Sequence, residues 1–131
     1  MPSENLTLVR ETFEAFVRGD VGAVTDLLDP EVEWKQIEEP VAVVGPEAVL
    51  QAIGRWTEMW DDVDVSIREE IEAGGHVVLL LHWSGCSKTG GVPVEQSAYN
   101  VFTLEGGKVV RMQEYGTDSR ADALDAAGLP E

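Results

Sequence analysis

The sequence contains few side chains of the types that carry out acid–base or nucleophilic chemistry near neutral pH. His76 and His82 are its two histidines, and Cys86 is its one cysteine. A histidine beside a carboxylate is a candidate general base, because its pKa lies near neutrality and the carboxylate fixes its tautomer. His82 and Glu114 could act in this way if their strands bring them together. The alternative is that His82 is a hydrogen-bonded core histidine and that Glu114 lies at a solvated rim.

The other reactive residue types lack the neighbours that metal or covalent chemistry requires. His82 and Cys86 lie too far apart along one strand to form a convincing metal site with His76. No activating cation accompanies Cys86, so a nucleophilic role is not indicated, and a single cysteine forms no intrachain disulfide. The pairs Gly90-Gly91 and Gly106-Gly107 are typical of turns, because neither opens a helix after a strand. We expect no metal and no cofactor.

Composition and charge describe an acidic globular protein. Of the 131 residues 44% are hydrophobic, and the formal charge is −16. Clustered cations bind phosphate backbones and anionic membrane surfaces, so we expect neither nucleic acid nor a membrane as a partner. No apolar run reaches the roughly 20 residues of a membrane helix, and the start lacks a basic segment followed by an apolar core. We expect one domain over residues 1–131, soluble and cytoplasmic.

Apolar residues recur at helical spacing in four segments. The first segment ends at Gly19, and Asp20 is a natural N-cap for the second. A proline in the first turn, followed by Glu47, begins the third helix in good form. The predicted helices are Glu4–Arg18, Val21–Leu28, a segment from Gly45-Pro46-Glu47 to Trp60, and Ser119–Ala127.

Alternating or continuous apolar runs predict five strands. One run alternates apolar with polar residues from Val63 to Glu72, whereas Val77–Trp83 is apolar on both faces and is expected at the centre of a sheet. The Gly106-Gly107 pair between two β-favouring runs predicts a hairpin. The predicted strands are Val32–Gln36, Val63–Glu72, Val77–Trp83, Val92–Leu104 and Val109–Tyr115.

The order of these elements predicts the fold class. Helices come first and hairpin-connected strands last, which indicates an α+β protein with an antiparallel sheet rather than a stack of βαβ units. If that sheet is strongly curved, helices packed into its concave side enclose a conical cavity. Glu38-Glu39, ahead of Pro40, predicts a solvated loop near the cavity mouth.

Three stretches of the chain carry a family pattern. They read LVRETFEAFVRGDVGAVTDLLDPEVEW, GPEAVLQAI and VFTLEGGKVVRMQEY. Together they resemble the nuclear transport factor 2-like superfamily, and within it the SnoaL-like proteins, in the right order and over nearly the whole chain. The resemblance implies a cone-shaped curved antiparallel sheet with the N-terminal helices in its concave face, a cystatin-like α+β barrel. It also implies a homodimer formed through the outer face of the sheet.

The resemblance allows the catalytic residues of related families to be sought position by position. For ketosteroid isomerases the tyrosine position falls on Thr12, the aspartate base on Gln36 and the oxyanion acid near Asn100, so two of three roles are lost or weakened. For limonene epoxide hydrolases the last-strand aspartate falls on Glu114, but their Arg-x-Asp pair has no match in HWSGCSK. The strand aspartate of polyketide cyclases is again replaced by Asn100. The sequence matches none of these catalytic sets.

The same alignment predicts which side chains face the cavity. With Asn100 inward, strand alternation turns its neighbours two residues apart inward as well. His82 and Glu114 are then titratable groups of one wall, suited to general acid–base catalysis. The side chains predicted to face inward are Leu80, His82, Ser84, Gln96, Ala98, Asn100, Phe102, Met112 and Glu114.

Aromatic residues complete the predicted site. Trp34, Trp56 and Trp60 could wall a pocket for a flat ring system, and ordinary core packing explains them equally well. Trp34 and Trp60 are the two that we assign to the pocket. The predicted ligand-contacting residues are Phe13, Trp34, Gln36, Trp60, Asn100, Phe102 and Met112, and the predicted catalytic residues are His82 and Glu114.

Three functions are consistent with this pattern. The leading hypothesis is a cofactor-independent isomerase, cyclase or hydrolase that acts on an apolar polycyclic, polyketide-like or terpenoid-like small molecule. The second is a non-catalytic binding module that uses the same pocket. The third is a dimeric interaction protein whose cavity is filled by its own side chains. An enzyme requires an open cavity with converging polar groups, a carrier requires the cavity without a base, and an interaction protein requires no cavity.

Overall fold

The computed structural model describes residues 4–37 and 41–129. The loop predicted at Glu38-Glu39 therefore lies outside the described residues. The elements in chain order are α1 (Glu4–Arg18), α2 (Val21–Leu27), β1 (Leu28–Lys35), β2 (Val43–Val44), α3 (Pro46–Thr57), β3 (Trp60–Ala73), β4 (His76–Ser87), β5 (Pro93–Glu105), β6 (Lys108–Gly116) and α4 (Arg120–Ala126). A 3₁₀ turn at Thr117–Ser119 leads into α4. In the described part of the chain, no helix is long and apolar enough to cross a membrane.

The helices follow from local sequence signals. Helix α1 has the predicted bounds and buries one stripe of its surface, Leu6, Val9, Thr12 and Ala15. Asp20 caps α2 by accepting a hydrogen bond from the backbone N–H of Ala23 at 3.1 Å. Helix α3 begins at Pro46 as predicted but ends at Thr57.

The prediction that the third helix reaches Trp60 was wrong. Trp60 opens β3, where it pairs with Ser87 of β4. The helical spacing of apolar residues extends to Trp60, but the pairing of Trp60 with a strand distant in sequence decides its backbone conformation.

The six strands form one mixed sheet in the order β2-β1-β6-β5-β4-β3. Strands β3 to β6 form the predicted antiparallel meander, whereas β1 lies parallel to β6. The parallel pair is possible because α3 and four strands separate β1 from β6 in the chain, so no tight turn has to join them. Register shifts in β3, between Asp61 and Asp64 and between Ile67 and Glu69, add local bends that help to curve the sheet.

Apolar side chains fill both faces of the sheet. On the concave face α1, α2 and α3 pack on a core that includes the fully buried Val32, Val77 and Leu79. On the outer face Ala123 of α4 and Ala127, the residue that follows the helix, pack in a second cluster. That second cluster contains Val78, Tyr99 and Val101 of the sheet.

Helix α4 is fastened to the outer face by one arginine. The Arg120 guanidinium donates to both carboxylate oxygens of Glu69, at 2.6 and 3.3 Å, and to the Tyr99 hydroxyl at 2.8 Å. It also lies 5.4 Å from the centre of the Tyr99 ring. The chain therefore covers part of its own outer sheet face.

Candidate ligand cavity

A cavity of about 650 Å³ lies between the helices and the concave face of the sheet. Its deep part is apolar and includes the buried Val49 and Phe102. Exposed lining residues, among them Arg55 of α3, Met59 just after it and Gln96 of β5, mark where the cavity opens. A volume of this size fits a drug-sized molecule, since ligand pockets commonly span roughly 300–1,000 Å³.

Most residues predicted to contact a ligand lie on the wall of this cavity. They are Phe13, Trp34, Gln36, Asn100, Phe102, Met112 and Glu114. The side chains of β5 and β6 that were predicted to face the cavity therefore do face it. Their roles in binding or catalysis stay predictions.

Glu114 is the carboxyl group of the cavity wall. The backbone N–H of Ile37 donates to its Oε1 at 3.2 Å, and the Trp34 side chain, which can only donate, hydrogen-bonds it as well. Glu114 keeps part of its surface open to the cavity, yet loss of hydration raises the pKa of its carboxyl above the ordinary value. The two donors and the charge of Lys35 oppose that rise without cancelling it.

Asn100 lies directly opposite Glu114 in the sheet. The two residues are direct partners in the β5–β6 register, so their side chains lie on the same face. One hydrogen of the Asn100 amide is donated to the carbonyl of Ala98 at 3.3 Å. Glu114 and Asn100 together place a carboxyl and a carboxamide side by side on an otherwise largely apolar wall.

The prediction that His82 faces the cavity was wrong. Residues opposite one another in a sheet share a face, and β4 pairs Leu79 with Asn100 and Leu81 with Ala98. The inward residues of β4 are therefore Leu79, Leu81 and Trp83, and Leu80, His82 and Ser84 point outward. The error arose because Val77–Trp83 is apolar on both faces, so alternation alone gives no phase.

On the outer face His82 joins β4 to β5 through two hydrogen bonds. Its Nδ1 lies 2.8 Å from the Ser97 hydroxyl, and its Nε2 lies 2.9 Å from Oε1 of Glu95. A neutral ring that donates from Nε2 to Glu95 accepts from the Ser97 hydroxyl at Nδ1. The carboxylate partner of His82 is thus Glu95, and His82 and Glu114 do not form an acid–base pair.

Trp60 was also assigned to the cavity incorrectly. Its ring packs 5.1 Å from the ring of Trp83, outside the cavity lining, and its buried indole N–H has no partner among the described residues. The tryptophans that line the wall besides Trp34 are Trp56 and Trp83, whose rings meet edge to face at 4.9 Å. Trp83 was missed, although counting back from the β4–β5 turn pairs it with the inward-facing Gln96.

The described residues hold no group of three or more histidine, cysteine, aspartate or glutamate side chains that could bind a metal ion. Glu114 and Arg55 are the two ionisable residues among those described on the cavity wall. The chemistry available to this wall is therefore that of one carboxyl, the Arg55 guanidinium, the Thr12 hydroxyl, the amides of Gln36, Gln96 and Asn100, and aromatic rings.

Helices seated in the concave face of a curved, unclosed sheet, with a cavity between the two layers, define the cone-shaped fold of the nuclear transport factor 2-like class. Within that class the chain belongs to the SnoaL-like domain family, whose model matches residues 9–112.

Comparison with other proteins agrees with this assignment. An uncharacterised protein of Mycobacterium tuberculosis is 29% identical over 129 residues, which cover 89% of this chain and 92% of that protein. The structure is similar to that of a Jannaschia protein that has been described as a SnoaL-like polyketide cyclase. The TM-score is 0.79, the identity is 19%, and the match covers 97% of this chain and 94% of that chain. It is also similar to a nuclear transport factor 2-like protein of unknown function from Burkholderia pseudomallei, with a TM-score of 0.78, 23% identity and coverage of 93% and 98%. At these identities the structural likenesses show the fold.

Proposed function

We propose that the cavity binds a largely apolar, ring-containing small molecule and that Glu114 transfers a proton in its cofactor-independent conversion. The observation that carries this proposal is Glu114 itself, a desolvated carboxyl with a raised pKa on the wall of an apolar cavity. A carboxyl whose pKa is moved toward neutrality exchanges protons more readily at physiological pH, which suits a general acid or base.

Isomerisation or cyclisation through an enolate is the reaction that this wall supports best. Glu114 as carboxylate takes a proton from the carbon next to a ketone, and the electron pair of that C–H bond becomes the enolate. An amide N–H from Asn100 or Gln96 stabilises the enolate oxygen. The enolate then takes the proton back from Glu114 at another carbon. Alternatively, its carbon attacks a second carbonyl and closes a ring, and the alkoxide formed from that carbonyl takes the proton from Glu114. Epoxide or ester hydrolysis is less well supported, because the described wall offers no second acid–base group to activate water.

Binding without turnover is the second candidate. It is favoured by the same shortage of titratable groups, since a single carboxyl can serve as an anchoring hydrogen-bond partner as well as a base. A carrier of this kind needs the aromatic walls of Trp34, Trp56 and Trp83 and no proton transfer.

The protein is also proposed to act in the cytoplasm as a homodimer that pairs through the outer sheet face. Helix α4 occupies part of that face, so the contact would use the strip around His82, Ser97 and Glu95. Light scattering should then give about twice the chain mass of 14.3 kDa. A monomer at micromolar concentration would contradict the dimer and leave the cavity proposal intact.

Deuterium exchange separates the two functional candidates. A panel of polycyclic ketones is incubated with the protein in D₂O, binding is followed by tryptophan fluorescence, and exchange at the carbon next to the carbonyl by NMR. We expect binding and accelerated exchange by the wild-type chain, and binding without acceleration by Glu114→Gln. Glu105→Gln, an exposed change at the end of β5, is the control and should behave as wild type. Binding without exchange in the wild type would support the carrier, and absence of binding would contradict both.

A further inference from the structure

We infer that the natural ligand of the cavity is a cation, a ring compound with a protonated amine or quaternary ammonium group that lies beside the Glu114 carboxylate. This inference rests on the proposed binding of a small molecule in the cavity and adds the charge of that molecule. The arrangement of one fixed carboxyl, the aromatic walls and the charges around the cavity support it separately.

Glu114 supplies the counter-charge. It is the one carboxyl group among the described residues of the cavity wall. The N–H of Ile37, 3.2 Å from Oε1, and the Trp34 side chain hold it in place. These donors are neutral, so they fix the position of a carboxylate and leave its net charge uncompensated. A cation in the cavity compensates it, and the attraction is stronger there than in bulk water because the effective dielectric constant is lower.

Indole rings line the space that such a cation would enter. Trp34 hydrogen-bonds Glu114 at one end, and Trp83 packs with Trp56 at the other. The strands β1 and β4 are separated by β6 and β5, and the register places Trp34 level with Val77 of β4. Trp83 therefore lies roughly 14 Å from Trp34 across the strands, at about 4.8 Å per strand, and roughly 20 Å further along the strand direction, at about 3.3 Å per residue. Indole faces attract ammonium groups and also stack on apolar rings. The ligand therefore places its cationic end near Trp34 and its rings toward Trp83.

Two basic residues oppose a cation in the cavity, and both act weakly. The Lys35 ammonium group donates to the carbonyl of Gln36 at 3.0 Å, and its influence on Glu114 is smaller than those of burial and the two hydrogen bonds. Arg55 is exposed where the cavity opens, so water and salt screen its charge. The formal charge of −16 on the whole chain draws cations toward the protein and repels anions. A cation is therefore favoured over an anion of the same shape.

Three ligands that share a phenol ring and a head group of similar shape provide the test. They are (4-hydroxyphenyl)trimethylammonium, its neutral counterpart 4-tert-butylphenol, and 4-hydroxybenzenesulfonate as the anion. Their dissociation constants are measured by calorimetry at pH 8 with the wild-type chain, Glu114→Gln and Glu114→Asp. Glu105→Gln removes one exposed negative charge far from the cavity lining and controls for the general field. Circular dichroism checks that each variant is folded.

We expect the wild-type chain to bind the cation at least about tenfold more tightly than the neutral compound, a difference of roughly 1.4 kcal/mol. This ratio should fall to about one in Glu114→Gln and persist in Glu114→Asp and Glu105→Gln. Equal or weaker binding of the cation, with the neutral compound still bound, would overturn the inference and leave the proposed function standing. Tightest binding of the sulfonate would overturn it in favour of an anionic ligand held by Arg55. Binding of none of the three would contradict the proposed function itself.

Discussion

The backbone N–H of Ile37 donates a hydrogen bond of 3.2 Å to Oε1 of Glu114 and so connects the chain just after β1 to β6. Trp34 of β1 donates to the same carboxyl. Both donors lie near the end of β1, which pairs with β6 in parallel, so the register of these two strands sets the position of Glu114. A group that is to transfer protons or anchor a ligand needs this kind of fixed orientation.

Trp34→Phe is expected to raise the pKa of Glu114 further. The substitution keeps an aromatic ring but removes the indole N–H, and that donor stabilises the carboxylate form. The pKa is measured by carbon-13 NMR of a chain labelled at glutamate side chains. Trp60→Phe is the matched control, because its indole N–H has no partner among the described residues and its ring lies outside the cavity lining. An unchanged or lower pKa in Trp34→Phe would show that the indole does not hold the carboxyl.

The raised pKa of Glu114 also predicts a pH dependence of stability. Between the ordinary value of 4.5 and the higher folded-state value, the folded chain holds a proton that the unfolded chain releases. The stabilisation that Glu114 contributes is thus complete below pH 4.5 and is lost as the pH rises through the folded-state pKa. The side chain in Glu114→Gln cannot titrate. The melting temperature of this variant relative to that of the wild type should therefore increase from pH 4 to pH 8. A constant difference across this range would mean that the pKa of Glu114 is not raised.

His82→Ala tests the outward position of that residue. The variant loses the hydrogen bonds to Ser97 and Glu95 on the outer face, which should lower the free energy of unfolding by about 1 kcal/mol. Ligand affinity should stay within about twofold of the wild type, since His82 is absent from the cavity lining. Chemical denaturation and ligand titration measure the two quantities. A large loss of ligand affinity in a folded variant would mean that His82 faces the cavity.

Leu79→Ala tests the assignment of the inner face of β4. Leu79 is fully buried beneath the helices, and truncation of such a residue costs about 2–5 kcal/mol. Val44→Ala, on the exposed short strand β2, should change the free energy of unfolding by less than about 0.5 kcal/mol. Urea denaturation compares the two variants. Similar small losses for both would mean that Leu79 lies outside the core.

The elements that were predictable from the sequence are those decided by nearby residues. Helix α1 shows a regular apolar stripe bounded by Gly19, and the β5–β6 hairpin turns at a glycine pair, so their bounds agree with the pattern. The cavity-facing positions of Asn100 and Glu114 followed from the family resemblance together with alternation along β5 and β6.

The features that were missed depend on contacts between distant parts of the chain. Val77–Trp83 is apolar on both faces because α4 covers the outer face while the N-terminal helices cover the inner one. Only the pairing of β4 with β5 decides which residues of this segment face the cavity. That pairing places Trp83 on the cavity wall and turns His82 to the outer face. The parallel pairing of β1 with β6, which brings Trp34 to Glu114, is likewise a long-range choice.

The most direct test of the account is a crystal structure with a polycyclic ketone or amine soaked into the protein. We expect the ligand to occupy the space between α1, α3 and the concave face, with a polar atom within hydrogen-bond distance of the Glu114 carboxyl. A ligand bound elsewhere, or a cavity closed by Trp34, Trp56 and Phe102, would contradict it.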